Sequence, residues 1–170
     1  MAMYLDVMAP AIAGESQSPN QKWNQKIQLE TMNYTISQTP SGSVGTGMVA
    51  GGARFGAMTI TKVMDKSTPL LWSYLCSGDP LSNMAIRVSR AGSAGGPFEA
   101  ETYLMENVIV SSYHTSGAPG AGGLPEETWS LAFTKITETY QSVDPKGALQ
   151  PPQQSGFDVG AGTEYRSPAA

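Results

Sequence analysis

Residues 57–78, AMTITKVMDKSTPLLWSYLCSG, decide the fold, because they predict a β-strand that continues into one short helix. The first half of this stretch alternates between two sets of side chains, which is the period of a strand. The sets are Met58, Ile60, Lys62 and Met64 on one side and Ala57, Thr59, Thr61 and Val63 on the other.

The second half of the stretch predicts a helix over about residues 68–77. Ser67 or Thr68 can cap its N-terminus, and Pro69 suits the first turn, where the missing N–H of a proline costs nothing. Gly78 stands where a left-handed residue ends many helices. Two leucines four residues apart share one helical face: Leu71 and Leu75. No other stretch gives a comparable helix signal, so the chain is predicted to be mainly β.

Several other stretches predict strands joined by turns. They are residues 3–8, 25–38, 84–88, 98–115 and 128–141. Short connections between such strands favour antiparallel hairpins. We therefore expect an antiparallel β-barrel or sandwich with one short α-helix on its side. We also expect a single domain over residues 1–170, an irregular segment from Ser142 onward and a frayed tail at about residues 165–170.

Two segments depart from a simple strand pattern. In residues 25–38 the apolar side changes near Thr31, so a bulge or a strong twist is expected there. Beyond that point three side chains should face the core: Met32, Tyr34 and Ile36. Residues 39–55 predict a long glycine-rich loop, and loops of that length in a compact domain are either disordered or functional.

Composition excludes several classes of protein. The net charge is −4, and the ten Lys and Arg residues are scattered singly, so no basic surface for nucleic acid is expected. Cys76 is the single cysteine, which excludes an intramolecular disulfide, and its place beside Leu75 predicts a small buried side chain. Because the N-terminus does not resemble a secretory signal and no stretch approaches ~20 apolar residues, we expect synthesis in the cytosol and no membrane insertion.

No catalytic, cofactor-binding or metal-binding constellation is predicted, so we do not expect an enzyme. His114 is the sole histidine, and its position at the end of a long strand favours a surface residue. Residues 45–50 fit G-x-G-x-x-A, but no helix pattern follows them, as a dinucleotide site requires. Glu126 and Glu127 are adjacent in a predicted strand entrance, so their side chains should point apart, which suits a solvated turn.

Five strings, in order, resemble the Hcp (hemolysin-coregulated protein) family of the bacterial type VI secretion system. The longest is TITKVMDKSTPLL…CSG in residues 59–78. The others are GES at 14–16, RVSRAG at 87–92, VIVSSY at 108–113 and PEET at 125–128. The resemblance covers about residues 1–162.

The resemblance implies a structural protein that assembles into a tube and is then expelled from the cell. Hcp-like proteins are hexameric rings of β-barrel subunits, and the rings stack into a hollow tube inside a contractile sheath. Contraction expels the tube, tipped by a VgrG spike, so the protein is cytoplasmic before firing and is then secreted or delivered into a target cell. Effector proteins travel in the lumen. Two other interpretations stay open: the tail-tube protein of a phage or phage-like particle, and a monomeric ligand-binding β-barrel.

Two sets of residues follow as site candidates from the resemblance and the residue pattern. The strand over residues 25–37 should contribute to the lumen wall, and its polar set gives the lumen-facing candidates Thr31, Asn33, Thr35 and Ser37. We expect residues 39–55 to become ordered on contact with a neighbouring ring. The ring-stacking candidates in or beside that loop are Val44, Met48, Val49, Arg54 and Phe55.

Overall fold

Antiparallel strands and one helix make up the part of the chain that the structure describes. The computed structural model describes residues 1–43, 47–49, 51–92, 96–117 and 123–166, with the backbone alone for residues 41–43, 47–49, 165 and 166. In chain order the elements are β1 (Ala2–Ala9), β2 (Ala11–Ile12), β3 (Ile27–Leu29), β4 (Thr31–Asn33), β5 (Ile36–Gln38), β6 (Ser41–Ser43), β7 (Gly47–Val49), β8 (Ala53–Phe55), β9 (Met58–Val63), α1 (Thr68–Ser77), β10 (Leu81–Arg90), β11 (Phe98–Ser116), β12 (Glu126–Ala132), β13 (Lys135–Tyr140), β14 (Gln153–Asp158) and β15 (Thr163–Arg166). The predicted class, mainly β with one short helix, is confirmed.

The main sheet has two arms that share strand β11. The long arm runs in the order β15-β14-β13-β11-β10-β1-β2, and the short arm runs β4-β9-β12-β11. The first part of β11, as far as Val108, pairs with β10, whereas Ile109 to Ser116 pair with β12. Asn107, with a positive φ of 52°, lies where the partner changes. Among the described strands the sheet does not close, so the fold is an open sandwich rather than a sealed barrel.

The core lies between the two arms. The long arm contributes Leu5, Ile86 and Met105, and the short arm contributes Ile60 and Trp129; all five are 0% exposed. In β9 and β12 every second side chain is buried, which leaves the alternate side chains on the opposite face of the short arm. The side chains on that opposite face of β9 and β12 are mostly polar.

A buried ion pair joins the short arm to the helix. Lys62 and Glu127 stand directly opposite each other in β9 and β12, and both side chains are 0% exposed. The Lys62 Nζ lies 2.9 Å from a Glu127 oxygen and 2.8 Å from Asp65 Oδ1. It also donates to Thr68 Oγ1 at 3.0 Å and to the Val63 carbonyl at 3.2 Å. The first residue of α1 is therefore held by the same cation that neutralises Glu127.

Glu127 has hydrogen-bond donors on both of its oxygens. Thr68 Oγ1 donates to Oε2 at 2.9 Å, Trp129 Nε1 donates to Oε2 at 3.3 Å, and Tyr113 Oη donates to Oε1 at 3.1 Å. The prediction that Glu126 and Glu127 point apart is correct, because Glu126 is exposed. The solvated turn expected around Glu127 is wrong, since its side chain is buried and has partners at four other positions in the chain.

The helix occupies the predicted residues, although its N-terminus is not built by a capping side chain. Ser67 is the N-cap residue but makes no side-chain cap bond, and its hydroxyl donates to Asp65 instead. Pro69 lies in the first turn, and Gly78 ends the helix at a φ of 73° with its N–H bonded to the Tyr74 carbonyl. In the part of the chain that the structure describes, no helix is both long enough and apolar enough to cross a bilayer.

The expected burial of Cys76 is wrong. Leu71 is 1% exposed and Leu75 packs against the core, so the predicted leucine face does hold the helix to the sheet. Cys76, five residues after Leu71, is rotated by about 140° from it around the helix. The cysteine is accordingly exposed.

The segment predicted as one strand over residues 25–38 is divided into three. Strand β3 pairs with β1, and β4 pairs with β9, so the chain crosses from the long arm to the short arm at Glu30. This crossing is the irregularity expected near Thr31. Met32 and Tyr34 pack against the core as predicted. Ile36 does not: it is 54% exposed, because β5 pairs with β8 alone, in a two-stranded ribbon outside the two arms.

The predicted glycine-rich loop over residues 39–55 is more regular than expected. Within it, β6 pairs with β7, and β8 pairs with β5, which lies just before the loop; both pairings are antiparallel. Residues 44–46 and 50 lie outside the described part. We call residues 36–55 the ribbon.

The end of the chain corrects the expectation of an irregular segment from Ser142 onward. Strand β14 pairs with β13, and β15 pairs with β14, so both extend the long arm. Phe157 in β14 stacks on Phe55 of the ribbon, with ring centroids 4.7 Å apart. Strand β15 continues to Arg166, residues 167–170 lie outside the described part, and the frayed tail at about residues 165–170 stays a prediction.

Replacing Lys62 by methionine tests the buried pair. The variant leaves the Glu127 carboxylate buried without its cation, and we expect the free energy of unfolding to fall by about 3–5 kcal/mol. Urea denaturation followed by tryptophan fluorescence measures the change. Lys66→Met is the matched control, because Lys66 is an exposed lysine in the same segment. Equal, small losses in the two variants would show that the pair does not hold the fold.

Candidate functional site

The candidate site is the face of the short arm that points away from the core. In an antiparallel sheet, residues directly opposite each other lie on the same face. Two rows of polar side chains cross all four strands in this way. The first row is Thr31, Thr61, Thr128 and His114, and the second is Asn33, Thr59, Ser130 and Ser112. We call these eight residues the polar face.

The polar face follows from the period of the strands. Thr59 and Thr61 alternate with the buried Met58 and Ile60, and threonine suits a strand while it keeps a hydroxyl in water. All eight side chains are exposed or half-buried. The hydroxyls of Thr31 and Thr61 lie 2.8 Å apart across β4 and β9 and share a hydrogen bond. The eight side chains therefore form a continuous polar surface across the four strands of the short arm.

The polar face carries no carboxylate, lysine or arginine in its two rows. Glu126 lies in the next row, opposite Val63. His114 is exposed and stands opposite Thr128, so the predicted surface histidine is confirmed. Nothing in the described residues groups three His, Cys, Asp or Glu side chains in a way that could hold a metal ion.

The structure places the four lumen-facing candidates in two locations. Thr31 and Asn33 belong to the polar face. Thr35 lies between β4 and β5, where its carbonyl accepts the Gly56 N–H at 2.9 Å. Ser37 is in the ribbon, opposite Arg54. All four candidates are exposed.

Sequence reasoning missed most of the polar face. Five of its hydroxyl-bearing residues were not proposed as site residues: Thr59, Thr61, Ser112, Thr128 and Ser130. The signal was present in two of the three strands, since these residues alternate with apolar ones in β9 and β12. The register in which the strands pair could not be predicted from the sequence, and it is this register that brings the residues of different strands side by side.

The ring-stacking candidates are distributed along the ribbon. Val44 lies outside the described residues, and Met48 and Val49 are described by their backbone in β7. Arg54 is exposed. Phe55 is half-buried, because it stacks on Phe157 and lies 6.5 Å from the ring of Tyr34. Phe55 therefore anchors the base of the ribbon to its own subunit, and the stacking role of the set stays a prediction.

The short arm ends in two strand edges. Among the described strands, β4 pairs with β9 alone, and residues 109–116 of β11 pair with β12 alone. These edges lie at opposite ends of the four-stranded arm, and each presents unpaired backbone N–H and C=O groups. Ile109, at the second edge, is 42% exposed. The polar face is thus bounded on both sides by edges that can accept another strand.

Curated relatives match part of the chain. A protein of Pseudomonas aeruginosa named "Major exported protein" is 32% identical over 89 residues, which is 49% of this chain and 52% of the relative. A second one from the same organism, "Protein hcp1", is 34% identical over 95 residues, 54% of this chain and 55% of the relative. The chain therefore aligns with about half the length of these relatives.

The fold as a whole has counterparts among solved structures. One, described as "Structure of a type six secretion system protein", has a TM-score of 0.85 at 22% identity and covers 96% of this chain and 99% of its own. Residues 4–140 match the family described as "Type VI secretion system effector, Hcp". This match includes the short arm, the helix and both of the short arm's edges. The chain belongs to the Hcp family of the type VI secretion system.

Proposed function

We propose that this chain is the tube subunit of a type VI secretion machine. Six copies close a ring through the edges of the short arm, and the rings stack into a hollow tube whose lumen is lined by the polar face. The observation that carries the proposal is the uncharged polar face bounded by two open strand edges. The family match favours this function over the phage tail tube and the monomeric ligand-binding barrel.

Edge pairing accounts for ring closure. When β4 of one subunit pairs with residues 109–116 of β11 in the next, the contact is head-to-tail, and a ring leaves no edge open. Each subunit adds four strands. Six subunits at about 4.8 Å per strand give a circumference of about 115 Å and a diameter of about 37 Å between opposite backbones, for strands that run near the ring axis.

The polar face points inward in such a ring. The long arm and the core lie on the other side of the short arm, and this bulk fits only outside a closed inner sheet. The lumen wall then consists of Thr, Ser and Asn side chains with one histidine per subunit. The two rows carry no fixed charge, and Glu126 stands in the next row, so effector proteins of varied charge meet no strong ionic contact along the two rows. In this proposal the VgrG spike and the contractile sheath are the other partners. The protein is cytoplasmic until it is expelled.

Inter-subunit disulfides test the edge pairing. In a Cys76→Ser background, one cysteine replaces Thr31 or Asn33 in β4 and another replaces Ser112 or His114 in β11. Within one subunit these positions are three strand spacings apart, about 14 Å, which is too far for a disulfide. We expect at least one of the four combinations to give a ladder up to hexamers on a denaturing gel after oxidation. Each single-cysteine variant is a control.

Negative-stain images of the unmodified protein should show rings with a central hole. Monomers in the images, together with no ladder from any of the four cysteine combinations, would contradict the ring.

A large side chain in the lumen tests the orientation of the polar face. Asn33→Trp should reduce the amount of effector that co-purifies with the rings, because the indole narrows the lumen at six symmetric positions. Ser73→Trp is the matched control, since Ser73 is exposed on the helix. Pull-down with a cognate effector measures retention, and native mass spectrometry checks that both variants remain hexameric. Unchanged retention in Asn33→Trp would remove Asn33 from the lumen wall.

Deleting residues 42–52 tests the ribbon as the contact between rings. We expect the subunits to fold and to form rings, because the deletion leaves both arms intact, but we expect no stacking. Electron microscopy and sedimentation velocity distinguish single rings from tubes. Tubes formed by the deletion variant would show that the ribbon is not needed for stacking.

A further inference from the structure

The ribbon leaves the short arm at one of its two ends. Asn33 lies opposite Thr59 in β4 and β9, and Ile36 lies opposite Phe55 in β5 and β8, so the ribbon extends the hairpin of β4 and β9. It therefore leaves the arm where β4 ends and β9 begins. At about 3.3 Å per residue, residues 36–43 span up to about 26 Å, which is long enough to reach a neighbouring ring.

A groove of about 260 Å³ lies at the other end of the short arm. Its lining comes from the places where β4 and β12 begin and β9 ends, which is the end opposite the ribbon. Glu30 precedes β4, Val63 and Met64 stand at the end of β9, Leu124 precedes β12, and Glu15 comes from the loop after β2. We call this the distal groove.

Exposed aliphatic side chains mark both ends of the short arm. In the distal groove Leu124 is 65% exposed and Val63 is 41% exposed. On the ribbon Ile36 is 54% exposed. Apolar groups that gather in one exposed groove often mark a contact with another protein. A contact between unlike ends of two subunits would remove all three side chains from water.

The charges of the two ends are also complementary. Residues 36–55 contain one charged side chain, Arg54. Arg54 is exposed and lies opposite Ser37, on the face of the ribbon away from Phe55. At the other end Glu30 lines the distal groove, and Glu126 stands opposite Val63. Among the described residues, Arg54 and these two exposed glutamates form no ion pair.

The remaining carboxylates of the distal groove already have partners in their own subunit. Asp65 forms an ion pair with Lys62 at 2.8 Å. The Lys66 N–H donates to Glu15 Oε1 at 3.0 Å, and the exposed side chain of Lys66 does not line the groove. The two carboxylates left for a partner at this end are therefore Glu30 and Glu126.

We propose that the distal groove receives the ribbon of a second copy of this chain, in the next ring of the stack. The inference rests on the proposed tube function. Cyclic symmetry places all six ribbons at one end of a ring and all six grooves at the other, and a contact between unlike ends repeats without closing. Arg54 approaches Glu30 and Glu126 of the next ring, and Ile36 approaches Leu124. Contacts between like ends would instead bring like charges together.

Reversal of single charges tests this contact. Arg54→Glu, Glu30→Arg and Glu126→Arg should each raise the protein concentration needed for stacking, by at least about tenfold for Arg54→Glu, because like charges then face each other. Combining Arg54→Glu with Glu30→Arg or with Glu126→Arg should restore stacking in at least one pair. Sedimentation velocity measures stacking, and native mass spectrometry checks that every variant remains hexameric.

Two matched controls separate the contact from general effects of mutation. Arg90→Glu reverses an exposed arginine of the long arm and should leave stacking unchanged. Leu124→Ser should raise the stacking concentration about fivefold, whereas Leu149→Ser, at a leucine that is 52% exposed outside the distal groove, should not. Normal stacking of Arg54→Glu rings, or no restoration in either double variant, would overturn the proposal.

Disulfide capture detects the contact even where stacking is weak. In a Cys76→Ser background, Arg54→Cys is combined with Glu30→Cys or Glu126→Cys. Within one subunit these positions are more than about 20 Å apart along the strands, too far for a disulfide. At least one combination should give, after oxidation, a ladder of linked subunits on a denaturing gel. Dimers formed by the single-cysteine variants would show contacts between like ends and would overturn the proposal.

The same measurements distinguish this inference from the tube function. Rings of the unmodified protein that neither stack nor give a ladder in either cysteine combination would overturn the inference and leave ring closure intact. A protein that forms no rings would contradict the proposed function itself.

Discussion

The short arm depends on the buried contact between Lys62 and Glu127. Two charges removed from water cost several kcal/mol each, and only close, saturated geometry offsets that cost. Here the lysine has four oxygen contacts and the carboxylate has donors on both oxygens. A slip of one residue between β9 and β12 would move one charge out of the core and leave the other buried alone. The pair therefore favours a single register, and that register aligns the hydroxyls of the polar face.

Local signals in the sequence were enough to predict the helix and the class of fold. Pro69 and Gly78 act on their immediate neighbours, so their effect can be recognised without tertiary information. The buried lysine was not predicted, because its partner Glu127 is distant in the chain and is brought opposite only by strand pairing. The strands β14 and β15 were missed for a similar reason. Their composition indicates an irregular segment, whereas in the structure β14 pairs with β13 and β15 with β14, and Phe157 also stacks on the distant Phe55.

The candidate site was predicted in part. Thr31 and Asn33 were chosen because they alternate with core-facing side chains in their own strand; the structure puts both on the polar face, and their place in a lumen stays a prediction. The residues that extend the polar face come from three other strands, and their positions are set by register.

Strand β11 runs without interruption from the long arm into the short arm, with the change of partner at Asn107. A continuous strand resists tension through covalent bonds, whereas two strands joined by a loop would yield first at the loop. The two arms are therefore joined by one covalent backbone as well as by the side chains packed between them, so a displacement of one arm is passed to the other along β11.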